Sequence, residues 1–152
     1  MLKHQHVIVR AEIRRPPTKH DSEMMKGWFR ELVWAIGMKI LRAPDAEYCE
    51  EVNNRGFTGT VILTTSHAAI HTWDECDPAI LQFDLYSCSC IEIDTVFKMF
   101  GRFDPKTIEY HFLDRDAANV CCSSTPSLAC SCRDPSKPAF LKVIKEGRIV
   151  YV

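Results

Sequence analysis

The chain has 152 residues, 46% of them hydrophobic and 26% charged, which suits one domain with its own core and is too short for two comfortable ones. Its 19 basic and 20 acidic residues leave a net charge of -1 and are spread along the sequence, so neither nucleic acid nor an anionic membrane surface is an expected partner. No segment approaches the roughly 20 continuous apolar residues that cross a bilayer, and residues 1–13 alternate polar with apolar where a secretory signal would be basic and then apolar; a cytoplasmic protein is expected.

In chain order, His6, Ile8, Arg10 and Glu12 alternate with Val7, Val9, Ala11 and Ile13, which predicts a strand over residues 4–13 with one buried face, stopped by Pro16 and Pro17. From a cap at Asp21 or Ser22, the residues Met25, Phe29, Val33, Ile36 and Ile40 recur at helical spacing, widened by Trp28 and Leu32. Residues 43–55 are polar and turn-prone. Strands are predicted over 56–66, 67–73, 80–86 and 107–113, and a second amphipathic helix over 94–103 through Val96, Phe97, Met99 and Phe100. Residues 140–144 and 148–152 about Lys145-Glu146-Gly147 read as a β-hairpin. The fold class expected is α+β: a two-layer sandwich, an antiparallel sheet with its helices on one face. It divides into a domain over 1–115, a Cys-rich linker over 116–139 and the C-terminal hairpin over 140–152.

The eight cysteines have no secreted context, so reduced thiols are expected. Cys88-x-Cys90, Cys121-Cys122 and Cys130-x-Cys132 lack the repeated C-x-x-C spacing of a zinc ribbon, and no metal site is expected.

Chemistry concentrates in one stretch. Thr58-Gly59-Thr60 opens a strand that runs into Thr65-Ser66-His67, followed by Ile70-His71-Thr72-Trp73-Asp74-Glu75 and then Asp84-Leu85-Tyr86-Ser87-Cys88. A Ser beside a His in a β-rich segment is ordinarily a hydrogen-bonded structural pair, and a lone His in a strand is ordinarily a satisfied one. The joint pattern resembles the processing and catalytic segment of bacterial and archaeal pyruvoyl-dependent S-adenosylmethionine decarboxylases. There a strand leads into Glu-Ser-His, then Ile-His-Thr-Trp-Pro-Glu, then a strand ending in Asp-x-Phe-Thr-Cys. The likeness follows the order of elements over about residues 4–115.

The resemblance implies a cofactor made from the chain itself, because a decarboxylation needs an electron sink that no ordinary side chain provides. Ser66 attacks the carbonyl of Thr65, and elimination and hydrolysis leave a pyruvoyl group on a new N-terminus at residue 66. By the same resemblance His71 takes the Ser66 α-proton, and Thr58 stands where the family carries a processing Ser. The substrate amine forms a Schiff base with the pyruvoyl ketone, Cys88 protonates the substrate α-carbon, and Glu75 binds near the ribose. Cys90, two residues beyond Cys88, is the competing thiol. This chain has Thr65 for the family's Glu, Asp74 for its Pro, two additional residues between Trp73 and Asp84, and Val52 where an aromatic ring stacks on adenine, with Phe57 as the substitute.

S-adenosylmethionine is thus the expected substrate, in service of spermidine synthesis. The alternatives are a pyruvoyl-dependent ornithine or arginine decarboxylase, which suits the missing carboxylate and ring, and a non-cleaved homologue that binds S-adenosylmethionine or a partner enzyme. A sheet with one face uncovered predicts a homodimer. A straight strand from Ser66 to His71 spans ~16 Å and points the two side chains to opposite faces, so a turn or bulge is expected between them.

Overall fold

The computed structural model describes residues 3–115 and 142–151; the Cys-rich linker expected over 116–139 lies outside them. The elements are β1 (Gln5–Ile13), α1 (Ser22–Ala35), β2 (Ile40–Cys49), β3 (Gly56–Leu63), β4 (Ser66–Trp73), β5 (Ala79–Ser87), α2 (Ile93–Met99) with a 3₁₀ turn at Phe100–Phe103, β6 (Pro105–Asp114) and β7 (Lys142–Val150). They form one seven-stranded sheet in the order β2-β3-β4-β5-β1-β6-β7, antiparallel at every pairing.

Period-two alternation assigns the faces. Val7, Val9, Ala11 and Ile13 of β1, Val61 and Leu63 of β3, Ala68 and Ile70 of β4, and Leu81, Phe83 and Leu85 of β5 are buried in one core with the helices. Trp28 of α1 sits at its centre, with Phe29, Phe83, Phe100 and Phe103 around its ring and its indole N–H donating to the Met99 carbonyl at 2.9 Å. The expected two-layer α+β sandwich is the observed architecture. The helix-free face presents His6, Ile8, Arg10, His67, His71, Gln82, Asp84 and His111, half-buried or exposed.

Three expectations are corrected. The helical stripe does not reach Ile40: Gly37, at φ +69, turns the chain while the amides of Gly37 and Met38 return to the carbonyls of Trp34 and Val33, and Ile40 begins β2. Residues 43–55 are not all loop, since β2 occupies their first half as an edge strand. It carries Pro44 and two register shifts against β3, features that an edge tolerates and that disguise it in the sequence. The C-terminal run is no hairpin but the single strand β7 on β6. Gly147 is not a turn residue: it faces Tyr110 across the ladder, where a Cβ would lie 3.1 Å from the phenol oxygen.

Candidate active site

The β3–β4 hairpin turns through Thr64 and Thr65, with Leu63 paired to Ser66. Thr64 donates its amide to the Lys39 carbonyl at 3.0 Å. Thr65 adopts φ 61, a left-handed conformation that costs a β-branched residue on the order of 1–3 kcal/mol. The residue before Ser66 is therefore strained.

The β4–β5 register pairs His67 with Tyr86, and one and two steps further it brings Ser87 and Cys88 alongside Ser66 and Thr65. Ser66 is 6% exposed. Its Oγ accepts from the Cys88 amide at 3.1 Å and donates to Cys88 Sγ at 3.6 Å. Thr65 Oγ1 is 2.7 Å from the same sulfur and donates to the Thr64 carbonyl at 2.6 Å. Hydrogen bonding from Thr65, and then from Ser66, holds the Cys88 thiol below its ordinary pKa. The structure thus gathers Thr65, Ser66 and Cys88, while Cys90 is exposed and outside this cluster.

Thr58 and His71 form a second cluster. They are cross-strand partners on β3 and β4, with Thr58 Oγ1 3.1 Å from His71 Nδ1, and the imidazole borders a groove with Arg10, Gln82, Asp84 and Glu109 on the helix-free face. β4 is regular over its length against both neighbours, and the bulge required between Ser66 and His71 is absent from it. Ser66 points to the helix side and His71 to the open side, ~16 Å apart along the strand. Within one chain they do not meet.

Glu75 and Phe57 lie at the opposite end of the hairpin from Ser66. Glu75 accepts from the Arg55 amide at 3.2 Å and faces the Arg55 guanidinium at 3.8 Å. Beside it Tyr48 donates to Asp74 at 2.6 Å, which pushes the phenol up to about 12. Phe57 is wholly buried against Tyr48, its amide donating to Thr72 Oγ1 at 2.8 Å; it is a core residue, and no face of its ring is open to a base. Val52 is exposed in the adjoining loop.

Other side chains crowd the helix-free face near Ser66 without having been singled out. His4 is hydrogen-bonded to the Tyr86 hydroxyl, Arg115 lies 4.6 Å over the Tyr86 ring, and His67 Nε2 is 3.8 Å from Asp84. Burial holds the His6 imidazole below its ordinary pKa against the opposing pull of Asp84. The signal for them was the even-numbered alternation of β1, which placed His6 beside Ile8 and Arg10. Among the described residues no three His, Cys, Asp or Glu side chains are grouped to hold a metal, and no helix is long and apolar enough to cross a membrane.

A sequence model of the family described as S-adenosylmethionine decarboxylase matches residues 5–116. An S-adenosylmethionine decarboxylase proenzyme of Archaeoglobus fulgidus is 32% identical over 68 residues, covering 43% of this chain and 59% of that protein. One from Clostridium botulinum is 33% identical over 72 residues, covering 47% and 53%. The chain thus spans a little over half the length of these curated relatives. The crystal structure of the adenosylmethionine decarboxylase from Aquifex aeolicus superimposes with a TM-score of 0.57 at 17% identity, covering 73% of this chain and 88% of that one, a likeness of fold.

Proposed function

We propose, from the premise that this chain belongs to the S-adenosylmethionine decarboxylase family, that it is a self-processing pyruvoyl-dependent decarboxylase acting on S-adenosylmethionine. The observation that carries the reading is the Thr65–Ser66 peptide itself. A strained residue precedes a serine whose Oγ is held between the amide and the sulfur of Cys88, so the hydroxyl is oriented and has a proton acceptor beside it. The residues fit the group they would carry: cleavage before Ser66 frees an N-terminus next to a thiol of lowered pKa.

The pyruvoyl group supplies the electron sink for loss of carbon dioxide. The chain supplies the rest. Ser66 Oγ attacks the Thr65 carbonyl, the Thr65–Ser66 bond becomes an ester, and elimination and hydrolysis separate residues 1–65 from 66–152. Cys88, which touches Ser66 already, is the proton donor to the substrate α-carbon. Thr58 holds His71 by the 3.1 Å contact and so fixes the imidazole for proton abstraction.

Because a regular β4 keeps Ser66 and His71 of one chain ~16 Å apart, the elimination base is the His71 of a second copy, in a homodimer formed through the helix-free face that presents this imidazole. That face carries Ile8 and Ile62, 41% and 45% exposed, among polar groups already paired within it, such as Arg10 with Glu109 and His111 with Glu146. Thr58 accompanies that His71 in processing, and Glu75 would reach the substrate in the same way. A pyruvoyl-dependent ornithine or arginine decarboxylase keeps the same self-cleavage, and family membership favours the nucleoside substrate over it.

Intact-mass measurement of the folded protein tests the reading. The expected result is two fragments, residues 1–65 and 66–152, the second bearing an N-terminal pyruvoyl group, with release of labelled carbon dioxide from S-adenosylmethionine. A folded chain that stays at the full 17.4 kDa is instead the non-cleaved homologue, and the enzyme reading is lost.

A further inference from the structure

Thr65 supplies the carbonyl of the bond before Ser66, and its side chain also makes a shorter contact to the sulfur of Cys88 than Ser66 does. Thr65 Oγ1 has one proton and two neighbours able to take it, the Thr64 carbonyl at 2.6 Å and Cys88 Sγ at 2.7 Å. With a thiol, S–H donates to Thr65 Oγ1 while Oγ1–H donates to Thr64. With a thiolate, Oγ1–H turns to the sulfur. One hydroxyl therefore holds Cys88 in either protonation state, and Ser66 Oγ, donating to that sulfur at 3.6 Å, is the group whose proton has to leave for the attack to proceed.

Resting on the self-processing reading, we propose that Thr65 is a positioning residue that holds the Cys88 sulfur against Ser66, so that Cys88 carries the proton in the first covalent step of processing. Ser66 Oγ–H gives its proton to the thiolate as Oγ adds to the Thr65 carbonyl carbon. The carbon–nitrogen bond between Thr65 and Ser66 then breaks as the Ser66 nitrogen takes that proton from Cys88 S–H. The product, an ester on Ser66 Oγ with a free Ser66 amine, is an isomer of the starting peptide, and nothing is consumed. The hydrogen bonds from Thr65 and Ser66 that lower the Cys88 pKa favour the thiolate the step begins from. Lys3 and Lys39 meet the cluster through backbone hydrogen bonds, Lys3 donating its amide to the Cys88 carbonyl and the Lys39 carbonyl accepting from the Thr64 amide, and no charged group among the described residues contributes to the lowering of the Cys88 pKa.

The test follows ester formation and cleavage in freshly refolded chain by intact mass, with hydroxylamine to trap the ester, from about pH 5.5 to about pH 9. The wild-type rate should climb with pH and level off as Cys88 ionises. Cys88→Ala should slow the step by about tenfold or more and flatten the climb. Thr65→Val, equal in shape and without the hydroxyl, should move the climb to higher pH; Thr65→Ser should restore it, and Cys90→Ala should leave it unchanged. In the uncleavable Ser66→Ala chain, alkylation of Cys88 read by peptide mass should titrate at higher pH with Thr65→Val than without it. Wild-type rate and profile in both Cys88→Ala and Thr65→Val overturn the proposal and leave self-processing standing. An unmoved Cys88 titration in Thr65→Val overturns the positioning role even where that variant cleaves poorly. A wild type that never cleaves removes the proposal together with the reading it rests on.

Discussion

His6 is a half-buried imidazole on the helix-free face whose Nε2 has no hydrogen-bond partner among the described residues. Burial lowers its pKa first, Asp84 opposes that, and Arg115 and His67 add to the lowering. The sign follows from linkage. Between the lowered folded value and the ordinary 6.5, the unfolded chain binds more protons than the folded one, so His6 favours folding fully above 6.5 and progressively less as pH falls below it. In the Ser66→Ala background, which keeps the chain in one piece, the loss of urea stability from about pH 7.5 to about pH 5.5 should be smaller in His6→Gln than without it. Equal losses would mean that the imidazole is free to charge in the folded state.

At the scale of elements, the contact of α1 with the sheet depends on Gly59 of β3. A Cβ there would lie 2.7 Å from Phe29 Cε2, with the Ala46 side chain and the Asp45 carbonyl each at 3.3 Å. Phe29 is wholly buried beside Trp28, so its ring has nowhere to retreat and the helix itself must shift. Gly59→Ala should cost about 1–3 kcal/mol, read as a lower urea midpoint at an unchanged m-value. An unmoved midpoint would show that α1 rides on the sheet with slack to spare. The edge strand β2, which supplies Ala46 to this contact, is also what the sequence concealed. Pro44 and the two register shifts break the alternation by which a strand is recognised, whereas β1, β4 and β5, buried on one face throughout, displayed it plainly.

For the whole molecule, the proposed function makes the oligomer part of the site, because a regular β4 holds Ser66 and His71 of one chain ~16 Å apart. Ser66→Ala and His71→Ala chains should each fail to cleave when alone, the second stalling at most as a hydroxylamine-sensitive ester. Refolded together in equal amounts, they should form mixed dimers in which the His71→Ala chain, with its own Ser66 intact, meets the imidazole of the Ser66→Ala chain. About half of the His71→Ala chains should then be cleaved, the share expected in mixed dimers from random pairing. Dimers in the ultracentrifuge with no cleavage on mixing would remove the assignment across copies, and prompt cleavage of His71→Ala alone would remove His71 from the step altogether.

By itself the sequence determined what is local: the faces of most strands, the helical stripe from Met25 to Val33, and the Ser66, His71 and Cys88 motif, because side-chain periodicity and short motifs are properties of neighbouring residues. It also contained the warning that a straight strand would part Ser66 from His71, but not whether the strand was straight. Only the tertiary structure decided that β4 runs regularly, that Glu75 and Phe57 lie at the far end of the hairpin, and that β7 completes the sheet. It alone set Thr65 beside Cys88 across 23 residues of chain. These outcomes depend on which strands pair and in what register, and register is fixed by hydrogen bonds and packing between segments far apart in sequence, beyond the reach of any local pattern.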